Sequence, residues 1–239
     1  MVDGRGYAVL REVEGLPAWA EAARGLAEVA LDDQALRDRW LRHDGTWFVG
    51  VEVLANDPDG SLGGVPLPAA LRGIWPGSWH RAQLSAIYPG YPGRDPGESD
   101  AAHRFRRIRC GAHVDGLHLE GGRRVLREPH AFILGIGLSD VAASPLVVWE
   151  GSHEIIRAAL DGAEAGDDVT EAYKAARADV FARCAKVPVP VQKGEAVLVH
   201  RLAVHGIAPW AGAAGRDPRL IAYFRPLFAR ARDWTARHP

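Results

Sequence analysis

Hydrophobic residues in the first part of the chain recur at helical spacing. Between residues 17 and 43 the apolar positions follow a period near 3.6 residues, at Trp19, Ala23, Leu26, Ala30, Leu36 and Trp40. This spacing predicts a helical stretch. Asp32 or Asp33 can cap a second helical segment, so a break is expected there. The run TWFVGVEVLA at 46–55 has instead the composition of a strand.

From about residue 80 the pattern changes to short apolar or alternating runs, separated by loops rich in glycine and proline. These runs predict strands at 80–89, 104–115, 130–140, 145–151, 187–192, 195–206 and 219–226. One helical stretch interrupts them at about 153–184. Strands that follow one another across turns favour an antiparallel sandwich or barrel, and the chain contains no GxGxxG motif that would favour a dinucleotide fold.

Composition narrows the function classes. The 239 residues are 47% hydrophobic and 25% charged, which predicts one globular domain, 1–239, with a sizeable core. The net charge of −1 gives no electrostatic reason to expect nucleic acid or an anionic membrane as a partner. No apolar run approaches the ~18 residues of a membrane span. Two cysteines without a CxxC motif predict a cytoplasmic protein without structural disulfides. The protein is expected to be a monomer or a homodimer.

The segment GAHVDGLHLEGG at 111–122 contains two His-x-acid pairs, His113 with Asp115 and His118 with Glu120. Because 10 of the 239 residues are histidine and 30 are acidic, chance alone supplies roughly one such pair. Context favours the first pair. It ends a predicted strand whose alternation places both side chains on one face, opposite an apolar row of Ile108, Cys110, Ala112 and Val114.

We therefore expect His113 and Asp115 to bind a metal ion. His118 is a candidate for a contact with the ligands or the substrate, and an exposed loop histidine is the simpler alternative. Two histidines and one carboxylate on one side of a metal are typical of non-haem Fe(II) oxygenases. Among the remaining histidines His205 suits the third position, because it ends a predicted strand and strand ends gather at the mouth of a barrel.

Four segments in this order, AHVDG, PLVVWEGSH, KGEAVLVHRLAVHG and RLIAYFRP, resemble the phytanoyl-CoA dioxygenase-like family of Fe(II)/2-oxoglutarate-dependent oxygenases. The resemblance covers about residues 79–226. It implies a mainly β fold with flanking helices, built on a double-stranded β-helix (jelly-roll, cupin-like) barrel over 79–226. The stretch at about 153–184 would be a helical insertion, and residues 1–78 a helical part packed on the barrel.

The resemblance also implies the ligands. His113, Asp115 and His205 would bind Fe(II), with 2-oxoglutarate and O2 as cosubstrates. Arg219 would meet the distal carboxylate of 2-oxoglutarate through a two-pronged, charge-assisted contact. Arg216 is its rival.

Arg225 shares the strand face of Arg219 and is a weaker candidate for the carboxylate. The sequence departs from the family at Ile207, where a serine or threonine often helps to hold the cosubstrate. It departs again at Glu150, where a proline usually precedes Gly-Ser-His.

The activity implied is hydroxylation of a small molecule. Asp115 favours hydroxylation or desaturation, since related halogenases carry a small residue there that leaves room for a halide. A cupin-like metal-dependent isomerase or hydrolase that does not use 2-oxoglutarate is the alternative, and Ile207 mildly favours it. A non-catalytic binding protein would have no physical need for all three ligands.

Several residues are candidates for the substrate pocket. Arg109 is expected on the strand face of His113, where it would meet the substrate or an internal acid. Tyr88 and Trp149 could line the pocket, although core packing explains them equally well. The loop after the metal pair would contact an anionic substrate group, unless it is only a solvated basic loop, through Arg123, Arg124 and Arg127.

Overall fold

The computed structural model describes residues 2, 4–212, 215 and 217–236. The helices in this part of the chain are α1 (Leu16–Asp32), α2 (Gln34–Trp40), α3 (Ala69–Arg72), α4 (Asp100–Arg109), α5 (Ser152–Ala159) and α6 (Thr170–Arg183), followed by a short 3-10 turn at Ala231–Asp233. The strands are β1 (Tyr7–Leu10), β2 (Leu41–Arg42), β3 (Trp47–Leu54), β4 (Ala82–Ile87), β5 (Leu117–Glu120), β6 (Arg123–Leu126), β7 (Phe132–Gly137), β8 (Leu146–Trp149), β9 (Lys186–Val189), β10 (Ala196–His200), β11 (His205–Ile207) and β12 (Arg219–Phe224).

The predicted break in the N-terminal helical stretch lies at Asp33. Its side chain accepts hydrogen bonds from the backbone N–H groups of Ala35 and Leu36, at 2.8 and 3.1 Å, and so caps α2. Helix α1 buries small residues, including Ala20, Ala23 and Ala27, which let it lie close to the sheet that it covers. Neither helix, nor any other in the described part of the chain, combines the length and apolar character of a membrane span.

The strands form two main antiparallel sheets. The larger sheet has the order β1-β10-β7-β12-β4-β3-β2 and the smaller sheet has the order β11-β8-β9, while β5 and β6 form a separate hairpin. Inward side chains of both sheets pack into one apolar cluster, in which Val199 and Ile221 from the larger sheet join Val148 and Val189 from the smaller. Alternation turns the opposite face of each strand toward the helices.

This arrangement confirms the predicted mainly β, jelly-roll fold with flanking helices. The two main sheets face each other as a sandwich, and no ladder of the described residues joins them into a closed barrel. Residues 1–78 are more than a helical cover, because β1 and β3 belong to the larger sheet, where β1 pairs with β10 and β3 with β4.

The strand predicted at 104–115 is wrong for its first half, which is helix α4. Ser99 caps this helix by accepting a hydrogen bond from the N–H of Ala102, and Asp100 lies in the first turn. Basic residues fill the last turn, where they suit the helix dipole. Cys110, in the left-handed region at φ 54°, ends the helix. Ile108 is consequently exposed and not part of an apolar strand face.

The single strand predicted at 195–206 is two strands, β10 and β11, in different sheets. A turn between them carries the chain from the larger sheet to the smaller. His200 ends β10 and His205 begins β11, so His205 starts a strand and does not end the predicted one. Alternation within an apolar run cannot reveal a sheet-to-sheet crossing, because the residues of the turn are also buried.

Candidate metal centre

The backbone brings His113 and His205 into direct register. The N–H of His113 donates to the carbonyl of His205 at 2.9 Å, and the N–H of His205 donates to the carbonyl of His113 at 3.0 Å. This reciprocal pair is an antiparallel bridge, and it places the two imidazole rings 4.6 Å apart between centroids. Residues 92 positions apart in the chain thus become neighbours at one edge of the smaller sheet.

Asp115 completes the group. Its Oδ1 atom lies 3.0 Å from Nε2 of His113 and 3.6 Å from Nε2 of His205, and one ligand atom from each residue lies within 4.8 Å of the others. The Nδ1 atoms are held elsewhere, by the carbonyls of Gly111 and Ala203, each at 2.9 Å. Donation from Nδ1–H directs Nε2 of each ring toward the centre, where it can bind a metal once it carries no proton, as ligation by imidazole requires. The donor set fits a divalent transition metal.

Two small residues allow this geometry. A Cβ atom on Gly206 would lie 2.1 Å from the carbonyl oxygen of Cys110, so only glycine lets β11 approach the segment that leads to His113. Ser152 is fully buried, and its Oγ accepts a hydrogen bond from the N–H of Val204 at 2.9 Å. The Gly-Ser-His turn therefore holds the residue that precedes His205.

The second oxygen of Asp115 has a partner of its own. Nε of Arg225 donates to Oδ2 at 2.6 Å, and Nη1 of Arg225 donates to Oε1 of Gln83 at 2.7 Å. Burial alone would raise the pKa of Asp115, but the charge of Arg225 and hydrogen bonds from the two histidines outweigh it and hold the pKa well below its usual range. The carboxylate is thus kept ionised, with Oδ1 directed at the histidines.

The same carboxylate affects His113. Loss of hydration within the protein would lower the pKa of His113. The hydrogen bond and the charge of Asp115 outweigh this effect, so the pKa is raised. Both shifts have the direction expected of a centre that stabilises opposite charges on the acid and the imidazole. A metal cation would replace the proton in this role.

Arg219 is buried at the start of β12, with 2% of its surface exposed. Alternation places it on the inward face with Ile221 and Tyr223. Among the described residues no carboxylate pairs with its guanidinium, and its Nη1 atom is buried without a hydrogen-bond partner. Burial raises the pKa of the Tyr91 phenol, and the charge of Arg219 is one of those that oppose this rise, so the two side chains lie near each other.

A large cavity of about 990 Å³ opens in front of the triad. His113, Asp115 and His205 line it, together with Tyr91 and Arg225. His118 also lines it, where its Nε2 lies 3.2 Å from Oε2 of Glu128. The triad therefore faces a space that can hold both a cosubstrate and a substrate. Arg216, the rival of Arg219, lies outside the described residues.

Three candidates for the pocket lie elsewhere. Tyr88 packs against the helix-covered side of the larger sheet, and Trp149 is buried against Phe181, on the helix-covered side of the smaller sheet. Arg109 does not share a strand face with His113, because it lies on α4, where its guanidinium stacks over the ring of Phe181 at 4.5 Å. None of the three lines the cavity.

The basic loop also lies away from the cavity. Arg127 forms a two-pronged contact with Glu120, with both distances 2.7 Å, and Arg124 donates to the carbonyl of Leu117. Arg123 lies 4.0 Å from Asp168. None of these arginines lines the cavity, so they give no support to an anionic substrate.

The residues missed by sequence reasoning are Gln83 and Tyr91. Gln83 had a usable signal, because polar Gln83 and Ser85 alternate with apolar Ala82, Leu84 and Ala86 in a buried strand. Such alternation indicates a polar inner face. Tyr91 follows the strand in a loop, where no periodicity applies, and nothing in the sequence distinguishes it from Tyr88.

Comparison with known proteins supports the fold. No family model and no curated protein sequence matches the chain. The structure is similar to that of SnoK, a non-heme alpha-ketoglutarate-dependent carbocyclase from nogalamycin biosynthesis. The two share 18% identity and a TM-score of 0.53, over 92% of this chain and 80% of SnoK.

The epimerase SnoN from the same biosynthesis is a further, more distant neighbour, with 14% identity and a TM-score of 0.48, over 92% of this chain and 77% of SnoN. EctD from S. alaskensis has 16% identity and a TM-score of 0.45, over 93% of this chain and 72% of EctD. At 18% identity and a TM-score of 0.53, the similarity to SnoK shows the fold alone.

Proposed function

We propose that this protein is a non-haem Fe(II)- and 2-oxoglutarate-dependent oxygenase of the phytanoyl-CoA dioxygenase-like family, which hydroxylates a small molecule. One observation carries the proposal. A two-histidine, one-carboxylate centre lines the cavity, and Arg219, buried without an ion-pair partner among the described residues, lies on the same strand face as Tyr223, which also lines the cavity. Such a centre is typical of iron oxygenases, and a buried guanidinium requires an anion. A dicarboxylate cosubstrate that binds the iron at one end satisfies both.

Bound Fe(II), with 2-oxoglutarate and O2, supplies the oxidising power to break a substrate C–H bond, while 2-oxoglutarate becomes succinate and CO2. The protein supplies the side chains that would hold the metal and the cosubstrate in position. His113, Asp115 and His205 would hold the iron, and Arg219 would bind the distal carboxylate. Arg225 keeps Oδ2 of Asp115 occupied, so Oδ1 is the oxygen that would be left to hold the metal. SnoK, which has the same fold, is a 2-oxoglutarate-dependent enzyme, and this agreement supports the cosubstrate.

Hydroxylation is the simplest outcome for this centre. All three protein ligands are present, including the carboxylate, so no ligand position is left vacant on the protein side for a halide. SnoK is a carbocyclase and SnoN an epimerase, so the fold alone does not select hydroxylation among oxidative outcomes. The ligand set of this chain supports hydroxylation.

The test is anaerobic addition of Fe(II) and 2-oxoglutarate, followed by the visible metal-to-ligand charge-transfer band. The wild-type protein should develop the band without any substrate. His113→Ala should abolish it, and Arg219→Ala should require much more 2-oxoglutarate to reach it. Absence of the band in wild-type protein, with iron shown to be bound, would refute the use of 2-oxoglutarate.

That negative result would favour the second function, a cupin-like metal-dependent isomerase or hydrolase. The observation in its favour is Ile207, an apolar residue that lines the cavity two positions after His205. A serine or threonine there would have offered a hydrogen bond to a cosubstrate carboxylate. The unpaired charge of Arg219 weighs against this alternative.

A further inference from the structure

We infer that the substrate of this centre is an uncharged, mainly apolar molecule of drug size, rather than an anion, an amino acid or a coenzyme A thioester. The inference rests on the proposed function and specifies its substrate class. The cavity of about 990 Å³ is at the upper end of the range of about 300–1,000 Å³ typical of pockets for such ligands. A bound dicarboxylate would occupy only a minor part of it.

The charges that line the cavity are paired within the protein. Arg225 contacts Asp115 at 2.6 Å. Arg106 contacts Glu98 closely and lies 3.8 Å from Oδ2 of Asp95. Each of these charges is therefore neutralised by a neighbour and is not available as a fixed partner for a charged ligand.

Glu128 is also held within the protein, because its carboxylate lies close to two histidines of the cavity, which pair with its charge when they are protonated. Its Oε2 is 3.2 Å from Nε2 of His118 and 3.5 Å from Nε2 of His130. Among the described lining residues, two charged side chains have no ion-pair partner, Glu52 and Arg81. They are exposed, lie at the outer end of neighbouring strands and have opposite sign. The wall thus offers no surplus of either charge.

The mouth of the cavity is apolar. Val51 and Leu227 are 47% and 49% exposed, and both line the cavity, whereas most large hydrophobic residues of the chain are buried. Trp75 lies with them and is held by edge contacts with Phe132 and Phe228, at 6.0 and 6.4 Å between ring centroids. Apolar side chains exposed around a concave site indicate a ligand that covers them.

The inner wall continues the apolar surface. Trp47 and Val49 share the inward face of β3 with Val51. The Trp47 ring is stacked on the His43 ring, with 5.4 Å between their centroids. Its indole N–H is already bonded to Ser85 at 3.0 Å, so the indole offers mainly its ring to a ligand. An uncharged molecule with apolar rings can contact this wall from the mouth to the triad. A sulfate or phosphate in the same place would lose its hydration without gaining a cation.

The experiment uses matched ligand pairs that differ only in charge. Testosterone, oestradiol and 4-methylumbelliferone are each compared with their sulfate esters by isothermal titration calorimetry on the full-length protein, loaded with Co(II) and 2-oxoglutarate. We expect at least one neutral member to bind, and to bind about tenfold more tightly than its sulfate. The inference is overturned if no neutral member binds more tightly than its ester, or if palmitoyl-coenzyme A binds more tightly than all of them.

A variant pair tests the location. Val51→Lys places a cation at the mouth, and it should weaken binding of the neutral ligand and reduce its preference over the sulfate. Val29→Lys is the matched control, because Val29 is an exposed valine on α1 that does not line the cavity, and binding should be unchanged. Equal effects of the two variants would overturn the assignment to this cavity. Calorimetry monitors neither the charge-transfer band nor turnover, so failure here is distinguishable from failure of the proposed function.

Discussion

Two arginines lie six positions apart on one face of β12: Arg219 begins the strand and Arg225 follows it directly. Their surroundings in the structure differ. Arg225 is fully engaged, with Asp115, Gln83 and the ring of Tyr223 around its guanidinium. Arg219 is more deeply buried, and no carboxylate of the described residues reaches it. In sequence both are arginines at alternating positions of an apolar strand. In the structure the protein pairs Arg225, whereas Arg219 has no ion-pair partner among the described residues.

The different surroundings of Arg219 and Arg225 indicate different roles for the two side chains. A buried charge without a partner destabilises a protein, and such a residue is retained when a ligand supplies the partner. Arg219 is therefore the residue expected to bind the cosubstrate. Arg225 acts through Asp115, since it holds the carboxylate and does not depend on any ligand for its own partner. Substitutions of both by methionine, which keeps an unbranched stem and removes the guanidinium and its charge, can separate these tasks.

The largest effect is expected for cosubstrate binding in Arg219→Met. Removal of one partner from a buried charge pair costs about 2 kcal/mol or more, so affinity for 2-oxoglutarate should fall about 30-fold or more. Titration of the charge-transfer band under anaerobic conditions measures it. At saturating iron, Arg225→Met should change this affinity much less. Unchanged affinity in Arg219→Met would transfer the role to another residue, with Arg216 the first to examine.

The next effect is on metal binding in Arg225→Met. Loss of a residue that orients a metal ligand commonly weakens metal affinity about 10- to 100-fold, and Oδ2 of Asp115 loses its closest partner here. Anaerobic Co(II) titration is the measurement. Gln83→Leu, which removes only the support of the guanidinium, should give a smaller loss in the same direction. Wild-type metal affinity in Arg225→Met would show that Asp115 is oriented without it.

In the protein without metal and cosubstrate, Arg219→Met and Arg225→Met should change the free energy of unfolding in opposite directions. Arg219→Met removes an unpaired buried charge and should raise the free energy of unfolding by about 1 kcal/mol. Arg225→Met leaves a buried carboxylate without its partner and should lower it. Urea unfolding of the two variants provides the values. A loss of stability in both variants would mean that Arg219 has a partner in the free protein.

The smallest effect concerns Ile207. Ile207→Thr keeps the branched shape and adds a hydroxyl on the cavity side, two residues from His205. One added hydrogen bond to a carboxylate is worth about 1 kcal/mol, so 2-oxoglutarate should bind up to about fivefold more tightly. The gain should disappear in the Arg219→Met background if both residues hold the same carboxylate. An equal gain in both backgrounds would place the hydroxyl elsewhere.

Part of the centre was predictable because it is local. His113 and Asp115 are two residues apart, and an extended backbone places such residues on one face whether or not a long strand precedes them. His113 and Asp115 are therefore close to each other even though residues 104–109 are helix and not the predicted strand. The strand runs at 46–55, 80–89, 130–140 and 219–226 were also predictable, since apolar and alternating runs bounded by glycine and proline loops carry the strand signal within themselves.

The helix α4 shows where local reasoning failed although local information was present. Ser99 and Asp100 at its start and the arginines in its last turn are helix signals. The apolar alternation from Ile108 to Val114 outweighed them in the sequence interpretation. The true boundary lies at Cys110, where a left-handed residue followed by glycine ends the helix. Arg109 consequently lies on a helix and not beside the metal.

By itself, the sequence determined the closeness of His113 and Asp115, the inward alternation of β12 and the strand content of a jelly roll. Each of these three features depends on residues within one helix, strand or short segment, so the local residue pattern reveals it. Only the tertiary structure decided that His205 faces His113 across an antiparallel bridge, that Arg225 pairs with Asp115 across 110 positions, and that no described residue forms an ion pair with Arg219. Those are contacts between distant segments, and whether a charge is satisfied depends on which segments the fold brings together.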